Sequence, residues 1–421
     1  MTSRMAVAAS AAPAGAFASP APASAAPASA APAPAAKGTP PIQRWPVLAA
    51  LALALATAWL AFPHGGWRFV GATAIGLFAG VALYHAAFGF TGAWRRIVTD
   101  GRGGGLRAQM LLLALTCAVS FPLIAFGRPD WLGGGGVGGF VFPFGWAVAI
   151  GAFLFGAGMQ FGGGCGSGTL FTAGGGSSRM VVTLAAFVAG SLVGTAHVPW
   201  WNAWPAFEPV SLIGLWGPWG ALLASFALFA AIYALALVVE RRRHGGFEPL
   251  RAQRSWLRGT WSPWTGAVAI AGVGIATFLV LGRPWGITSG FALWGAKIAD
   301  AAGIGVRDWT FWQWDWARAQ LDASVFADAT SVMNFGIVAG AMLAAGLAAT
   351  YRPTLRISGP ELATAIVGGL LMGYGARLSF GCNIGAYLGG IASGSLHGWF
   401  WASFAFAGST LTALTKPRFG L

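Results

Sequence analysis

The chain has 421 residues, 56% of them hydrophobic and only 9% charged, with 22 Trp, 30 Phe and a mean hydropathy of +0.67. That balance excludes an ordinary soluble globular domain and points to an all-α integral membrane protein. A formal charge of +14 would suggest nucleic acid in a soluble chain; here the arginines sit in short loops beside apolar stretches, where they set membrane orientation, and no nucleic-acid partner is expected.

Residues 1–43 are an Ala/Pro/Ser tract with too little large apolar side chain to pack, which reads as a disordered cytoplasmic tail. No continuous apolar core follows Arg4 before the prolines begin, so a cleaved secretory signal is the poorer reading. Stretches of about 20 mostly apolar residues, enough to cross a bilayer, then fall near 46–62, 69–90, 108–127, 142–160, 179–197, 219–239, 265–282, 330–350, 360–380 and 397–414, about ten spans.

The loops between them alternate in charge. Arg95, Arg96, Arg102 and Arg107 follow the second span, Arg241, Arg242, Arg243, Arg251, Arg254 and Arg258 the sixth, Arg352 and Arg356 the eighth, and Lys416 and Arg418 end the chain. The opposite loops are poorer in basic residues, and in the 283–329 segment Asp300, Asp308, Asp315, Asp322 and Asp328 outnumber them. By the positive-inside rule both termini of this multi-pass protein are cytoplasmic.

Two glycine-rich breaks carry Cys165 and Cys382: FGGGCGSGTLFTAGGG at 161–176 and FGCNIGAYLGGIASGS at 380–395. They stand at a constant offset of 217, which also pairs Gly151 with Gly368, Gly156 with Gly373, Gly158 with Gly375, Gly168 with Gly385, and Gln160 with Arg377. A weaker pair is GFTGAWRRI at 89–97 and GITSGFALWGAKI at 286–298. An odd number of spans per copy forces the two copies to lie in opposite orientation, with short broken or re-entrant helices meeting at the centre. The expected organisation is therefore two inverted repeats: 44–240 holding the first and the start of the second, a basic cytoplasmic loop at 241–264, and 265–421 holding the second.

Glycine runs let backbone N–H groups face a ligand, and a helix that starts there points its positive end at an anion. The first break offers Cys165, Gly166, Ser167, Gly168 and Thr169, the second Gly381, Cys382, Asn383 and Gly385, with Gln160 and Arg377 flanking them; Gly89, Thr91, Thr288 and Ser289 mark the other two breaks along the same path. The set is rich in donors and lacks a carboxylate, which favours an anion over a cation or a proton relay. Thiols are soft, weakly donating groups, so a soft oxyanion with a terminal sulfur suits both features. One Cys per break without a nearby His or a CxxC spacing argues against a metal, and no cofactor is expected.

Each signal has a plainer counterpart. Glycine runs in membrane helices often serve close packing alone, Cys117 reads as a small buried apolar residue, and Arg377 could equally snorkel near a helix end. His197 and His397 read as residues of the membrane boundary, and WTFWQWDWARAQL at 309–321 as an interfacial aromatic belt or, alternatively, a gate over an outer vestibule.

GMQFGGGCGSGTLFTAGGG (158–176), GARLSFGCNIGAYLGG (375–390) and PWGITSGFALWGAK (284–297) resemble the signature segments of the YeeE/YedE family of sulfur-compound transporters, over most of 46–414. The resemblance implies a non-enzymatic inner-membrane carrier with duplicated halves that takes up thiosulfate, in which cysteines pass the anion along by hydrogen bonds to its sulfur. By motif two of those cysteines match Cys165 and Cys382. The third falls in the break after span two, where this chain reads Phe88, Gly89, Phe90, so a related sulfur or selenium species stands as an alternative. A reading of a different class is a membrane sulfur-relay or redox partner that hands sulfur to a cytoplasmic sulfur-carrier protein and carries no flux.

Overall fold

A computed structural model of the protein describes residues 40–130, 134–249, 251–354 and 356–416. Most of the tail read at 1–43, and Arg418, lie outside them. Every apolar stretch becomes a helix: α1 Arg44–Gly65, α2 Trp67–Ala86, α4 Gly104–Phe126, α5 Trp146–Gly162, α7 Ser178–Asn202, α8 Leu212–His244, α9 Pro263–Leu281, α13 Ala329–Leu347, α14 Gly359–Leu378 and α16 Leu396–Thr415. Short helices fill the glycine-marked breaks: α3 Phe90–Thr99, α6 Gly166–Gly174, α10 Thr288–Ala301, and a π-helical turn Asn383–Leu388 leading into α15 Gly389–Ile391. Two more, α11 Thr310–Gln313 and α12 Asp315–Asp322, form the segment between α10 and α13.

Among the described residues nine helical segments are long and apolar enough to cross a membrane, the short helices α3, α6 and α15 being counted with the spans they continue. The tenth expected span, α16, has 20 residues but falls short on composition because His397 and a run of hydroxyl residues dilute it. The chain is an all-α integral membrane protein.

Local chemistry sets the boundaries. The Ser262 hydroxyl accepts from the Thr265 N–H at 3.0 Å with Pro263 in the first turn of α9, and Ser358 and Glu361 make a reciprocal capping box at α14. The Asp328 carboxylate accepts from the Thr330 and Ser331 N–H groups at the start of α13. α5 stops because Gly163 turns to φ 85°, which few residues but glycine adopt. α8 bends at Gly217–Pro218, where the proline interrupts the helical hydrogen bonds.

The packing has an internal regularity. α5 crosses α14; α7 lies on α14 and α16 on α5; α10 lies on α7 and α3 on α16; α2 packs on α13 and α9 on α4; α1 packs on α13 and α8 on α4. Exchanging α1 with α8, α2 with α9, α3 with α10, α4 with α13, α5 with α14 and α7 with α16 maps these contacts onto one another. At the α5–α14 crossing a Cβ on Gly151 would lie 2.8 Å from the Gly375 carbonyl oxygen, and one on Gly158 would lie 2.9 Å from that of Gly368. The offset of 217 exchanges these two contacts.

Candidate substrate-binding site

The four breaks bring their helix starts to one place. A Cβ on Gly166 would sit 3.1 Å from Cys382 Sγ and 3.5 Å from Thr288 Cγ2, so the first turns of α6 and α10 and the Cys382 break are in contact. Gly385 lies beside Gly286, and the Phe90 ring at the start of α3 meets that of Tyr387 edge-on at 5.9 Å.

Around Cys165 the geometry is that of a helix N-terminus. Cys165 is the N-cap of α6, its carbonyl accepting from the Thr169 N–H at 2.8 Å and the Thr169 hydroxyl at 2.9 Å. Its Sγ lies 3.4 Å from the Ser167 hydroxyl, either group able to donate. Cys165, Ser167 and Thr169 are all buried. Gly166 and Gly168 keep the approach to the two thiols narrow but free of side chains.

Cys382 is fully buried, and its Sγ accepts from the Ile384 N–H at 3.4 Å. The break before it is strained: Phe380 adopts φ 59°, a region a bulky side chain rarely enters, and Gly381 follows at φ 154°. The Phe380 ring stacks on Phe142 at 4.7 Å, which holds the kink. Asn383 is fully buried, and among the described residues neither its amide nitrogen nor its amide oxygen has a hydrogen-bond partner. Buried polar groups are nearly always paired, so an orphaned amide on the residue after Cys382 leaves hydrogen-bonding capacity free.

Beside the Cys382 break lies a cavity of about 340 Å³, walled by Phe140, Phe142, Phe380 and the α11–α12 segment, with Thr288, Ser289, Gly381 and Gly385 on its surface together with Arg283 and Arg377; Cys165 and Cys382 are not on its wall. No Asp or Glu lines it. The aromatics of 309–321 read as a belt or a gate; Phe311 and Trp312 turn inward and are buried, while Trp316 is exposed, so the segment covers the cavity and meets its surroundings at once.

The remaining sequence-derived residues fall elsewhere. Gln160 is on α5, its amide donating to the Thr91 carbonyl at 3.2 Å and to the Ser409 hydroxyl at 2.8 Å, so it ties α3 and α16 to α5. The Thr91 hydroxyl is buried without a partner, and Gly89, the N-cap of α3, has open space where a side chain would be. His397 corrects its reading as a boundary residue: it is fully buried, with Nε2 3.2 Å from the Ser379 carbonyl and its ring against Phe380 and Phe142, because α16 starts inside the protein next to the Cys382 break. His197 is bound at Nδ1 to the Tyr374 hydroxyl. Cys117 is buried in α4, with Sγ 3.8 Å from the Ile391 carbonyl.

Sequence reasoning missed Arg283, which read only as a loop residue, and Asn334. The latter is a fully buried amide within α13 whose nitrogen donates to the Ile287 carbonyl at 3.0 Å, fixing the irregular turn before α10, and whose oxygen has no partner. A polar side chain inside an apolar span was the available signal. Among the described residues no group of His, Cys, Asp and Glu is clustered so as to hold a metal ion.

Comparison with known proteins bears on this geometry. Residues 85–411 match the family described as sulphur transport. Two bacterial proteins named as probable transporter YedE, one from Escherichia coli strain K12 and one from Salmonella typhimurium strain LT2, are each 29% identical to this chain over 157 residues, 37% of its length. The match spans 38% of each of those relatives. Since the family pattern runs through most of the chain, including all four breaks, this membrane protein belongs to the sulphur transport family.

Proposed function

We propose that this protein is a non-enzymatic carrier of a small sulfur-containing anion, thiosulfate first among them, across a bacterial inner membrane with both termini cytoplasmic. The anion moves from a site at Cys382, reached from the side of the 283–329 segment, to one at Cys165. The observation that supports this most is the contact between the two breaks: Gly166, next to Cys165, lies against Cys382 Sγ, so one ion can leave one thiol's reach as it enters the other's. Thiol hydrogens, the Asn383 amide, the Ser167 hydroxyl and backbone N–H groups would replace its water shell. Weak neutral donors at the sites themselves keep the ion from being trapped there.

The self-mapping of the helix contacts supports two copies of one plan, 44–240 with the start of the second, and 265–421 joined through the 241–264 loop. With five long helices per copy, they are inverted in the membrane. The wild type, Cys165→Ala and Cys382→Ala are to be compared for radiolabelled thiosulfate uptake in cells lacking their own sulfate and thiosulfate importers. Both variants should lose most of the uptake; equal uptake by all three sinks the reading. The alternative of a related sulfur or selenium substrate is favoured by Gly89, and a panel of thiosulfate, sulfite, sulfate, tetrathionate and selenite resolves it. A sulfur relay to a cytoplasmic carrier protein would instead leave persulfide on Cys165 and give no flux in proteoliposomes.

A further inference from the structure

The cavity beside the Cys382 break is lined by two arginines that, among the described residues, form no ion pair. Arg377, in the last turn of α14, has no hydrogen-bond partner at Nε, and its guanidinium carbon lies 5.3 Å from the centre of the Phe311 ring. Arg283 donates to the Thr330 hydroxyl at 3.0 Å. The acid that acts on it through space, Asp328, is engaged in capping α13 and accepting from the Ser331 hydroxyl at 2.7 Å. Among the described residues neither arginine is within ion-pair distance of a carboxylate.

Other arginines in this chain are differently used. Arg107 is paired with the buried Glu240, and Arg307 with Asp300 and Asp322. Arg179 donates to the Phe161 carbonyl at the end of α5, and Arg68 and Arg128 to carbonyls in the last turn of α9. Arg377 caps nothing. A half-buried charge without a carboxylate partner is costly, and a guanidinium fork is shaped to bind oxyanions through two parallel hydrogen bonds. Aromatic walls lower the local dielectric and strengthen that attraction, and Phe311 holds Arg377 by a cation–π contact without discharging it.

We propose that Arg283 and Arg377 form an oxyanion site in this cavity, separate from the thiols, which do not line it, that selects for charge and not for sulfur. It takes divalent tetrahedral oxyanions such as sulfate whether or not they bear a terminal sulfur. The thiol-and-amide site, with no fixed charge of its own, then passes only the softer, more easily desolvated ion. Rejection therefore occurs in two stages, and sulfate occupies the first without traversing the second. The proposal rests on the path through Cys382 argued above for its transport consequence, but not for the binding itself.

Two measurements on the full-length protein test it. In proteoliposomes, external sulfate should raise the KM for thiosulfate without entering. Arg283→Gln or Arg377→Gln should raise that KM about tenfold, the size of one lost charge-assisted hydrogen bond, and remove the sulfate inhibition, with Arg377→Lys partly restoring it. Sulfate inhibition that survives in the double Gln variant overturns the proposal. Independently of flux and of any variant's folding, sodium sulfate titrated into detergent-solubilised wild type should protect Arg283 and Arg377 from phenylglyoxal, mapped by mass spectrometry. Cys382→Ala should keep that protection. Labelling of both arginines at the same rate with and without sulfate overturns the site even if thiosulfate is carried, and protection without any thiosulfate flux sustains it while removing the transport reading.

Discussion

Gly166 lies against Cys382: a methyl group on its Cα would come within 3.1 Å of Sγ, closer than such contacts normally settle. The two thiol sites are thus separated by one glycine face. Gly166→Ala should retain the fold, since alanine favours the helix that starts there, but push the Cys382 thiol aside and reduce uptake about tenfold or more. Gly168→Ala is the matched control, its Cβ meeting Cys165 Sγ at an ordinary 3.6 Å; its effect should be several times smaller. Uptake assays normalised to protein in the membrane would show it, and equal effects of the two substitutions would refute the steric account.

Asn383, the residue after Cys382, is fully buried, and among the described residues neither polar atom of its amide has a hydrogen-bond partner. Replacing an unpaired buried polar group by an apolar one of similar shape removes a desolvation penalty of about 1–3 kcal/mol. Asn383→Leu should therefore leave the melting temperature unchanged or raised while uptake falls about tenfold, one lost hydrogen bond to a charged group. A melting temperature that falls would mean the amide supports the fold instead of the ligand. Thermal unfolding by intrinsic tryptophan fluorescence in detergent, run beside uptake, separates the two.

The pairs Gly151–Gly375 and Gly158–Gly368 set the approach of α5 to α14, and they are the same glycines that the sequence offset pairs. Gly368→Ala brings a Cβ against the Gly162 backbone, and Gly151→Ala one against the Gly375 carbonyl. Both should destabilise by about 1–3 kcal/mol, the usual cost of overpacking, and lower the melting temperature. Gly272→Ala, where no atom lies within 4 Å, should not.

Those glycines also show what was readable beforehand. All ten long helices were legible because bilayer-length apolar runs have a one-dimensional signal, and the breaks were legible because glycine and cysteine stand out against it. Packing and binding were offered as rival uses of glycine, and the structure divides them by position: Gly158 and Gly368 serve the helix crossing, while Gly166 faces the thiol. The rest depended on neighbours distant in sequence. Arg283 beside Pro284 looks like any loop cation until the fold brings Arg377 to the same cavity. Gln160 stands at the same offset of 217 from Arg377, and its amide is committed to Thr91 and Ser409 of other helices.

The α11–α12 segment is held over the cavity by Arg307, whose guanidinium joins Asp300 at the end of α10 to Asp322 at the end of α12. The hydrogen bond from Arg307 holds the Asp322 carboxyl below its ordinary value of 3.8. A carboxyl depressed in the folded state contributes stability above its unfolded value and loses that contribution as pH falls through the lower, folded one. The clamp should therefore persist from about pH 7 to about pH 5 and weaken only in stronger acid. Hydrogen–deuterium exchange across 303–322, corrected for intrinsic rate, should be unchanged over that range and faster in Arg307→Gln. Faster exchange of the wild type already at pH 5 would remove Asp322 from the clamp.

Gly89 stands where the family resemblance places a further cysteine, and its backbone is extended at φ −134° and ψ 132°, a conformation any residue adopts. A Cβ there meets no atom within 4 Å, while the neighbouring Phe90 ring touches Tyr387, in the π-helical turn that follows Cys382. Gly89→Cys should fold with unchanged stability and place a thiol at the N-terminus of α3, on the proposed path. If thiosulfate is the substrate, its uptake should rise several-fold, and only while Cys165 and Cys382 are intact, because the three donors act in series. A rise that persists in the Cys382→Ala background would mean a leak unrelated to the site. No rise with thiosulfate, but a change in preference across the oxyanion panel, would identify position 89 as the residue that sets which sulfur or selenium species this chain carries.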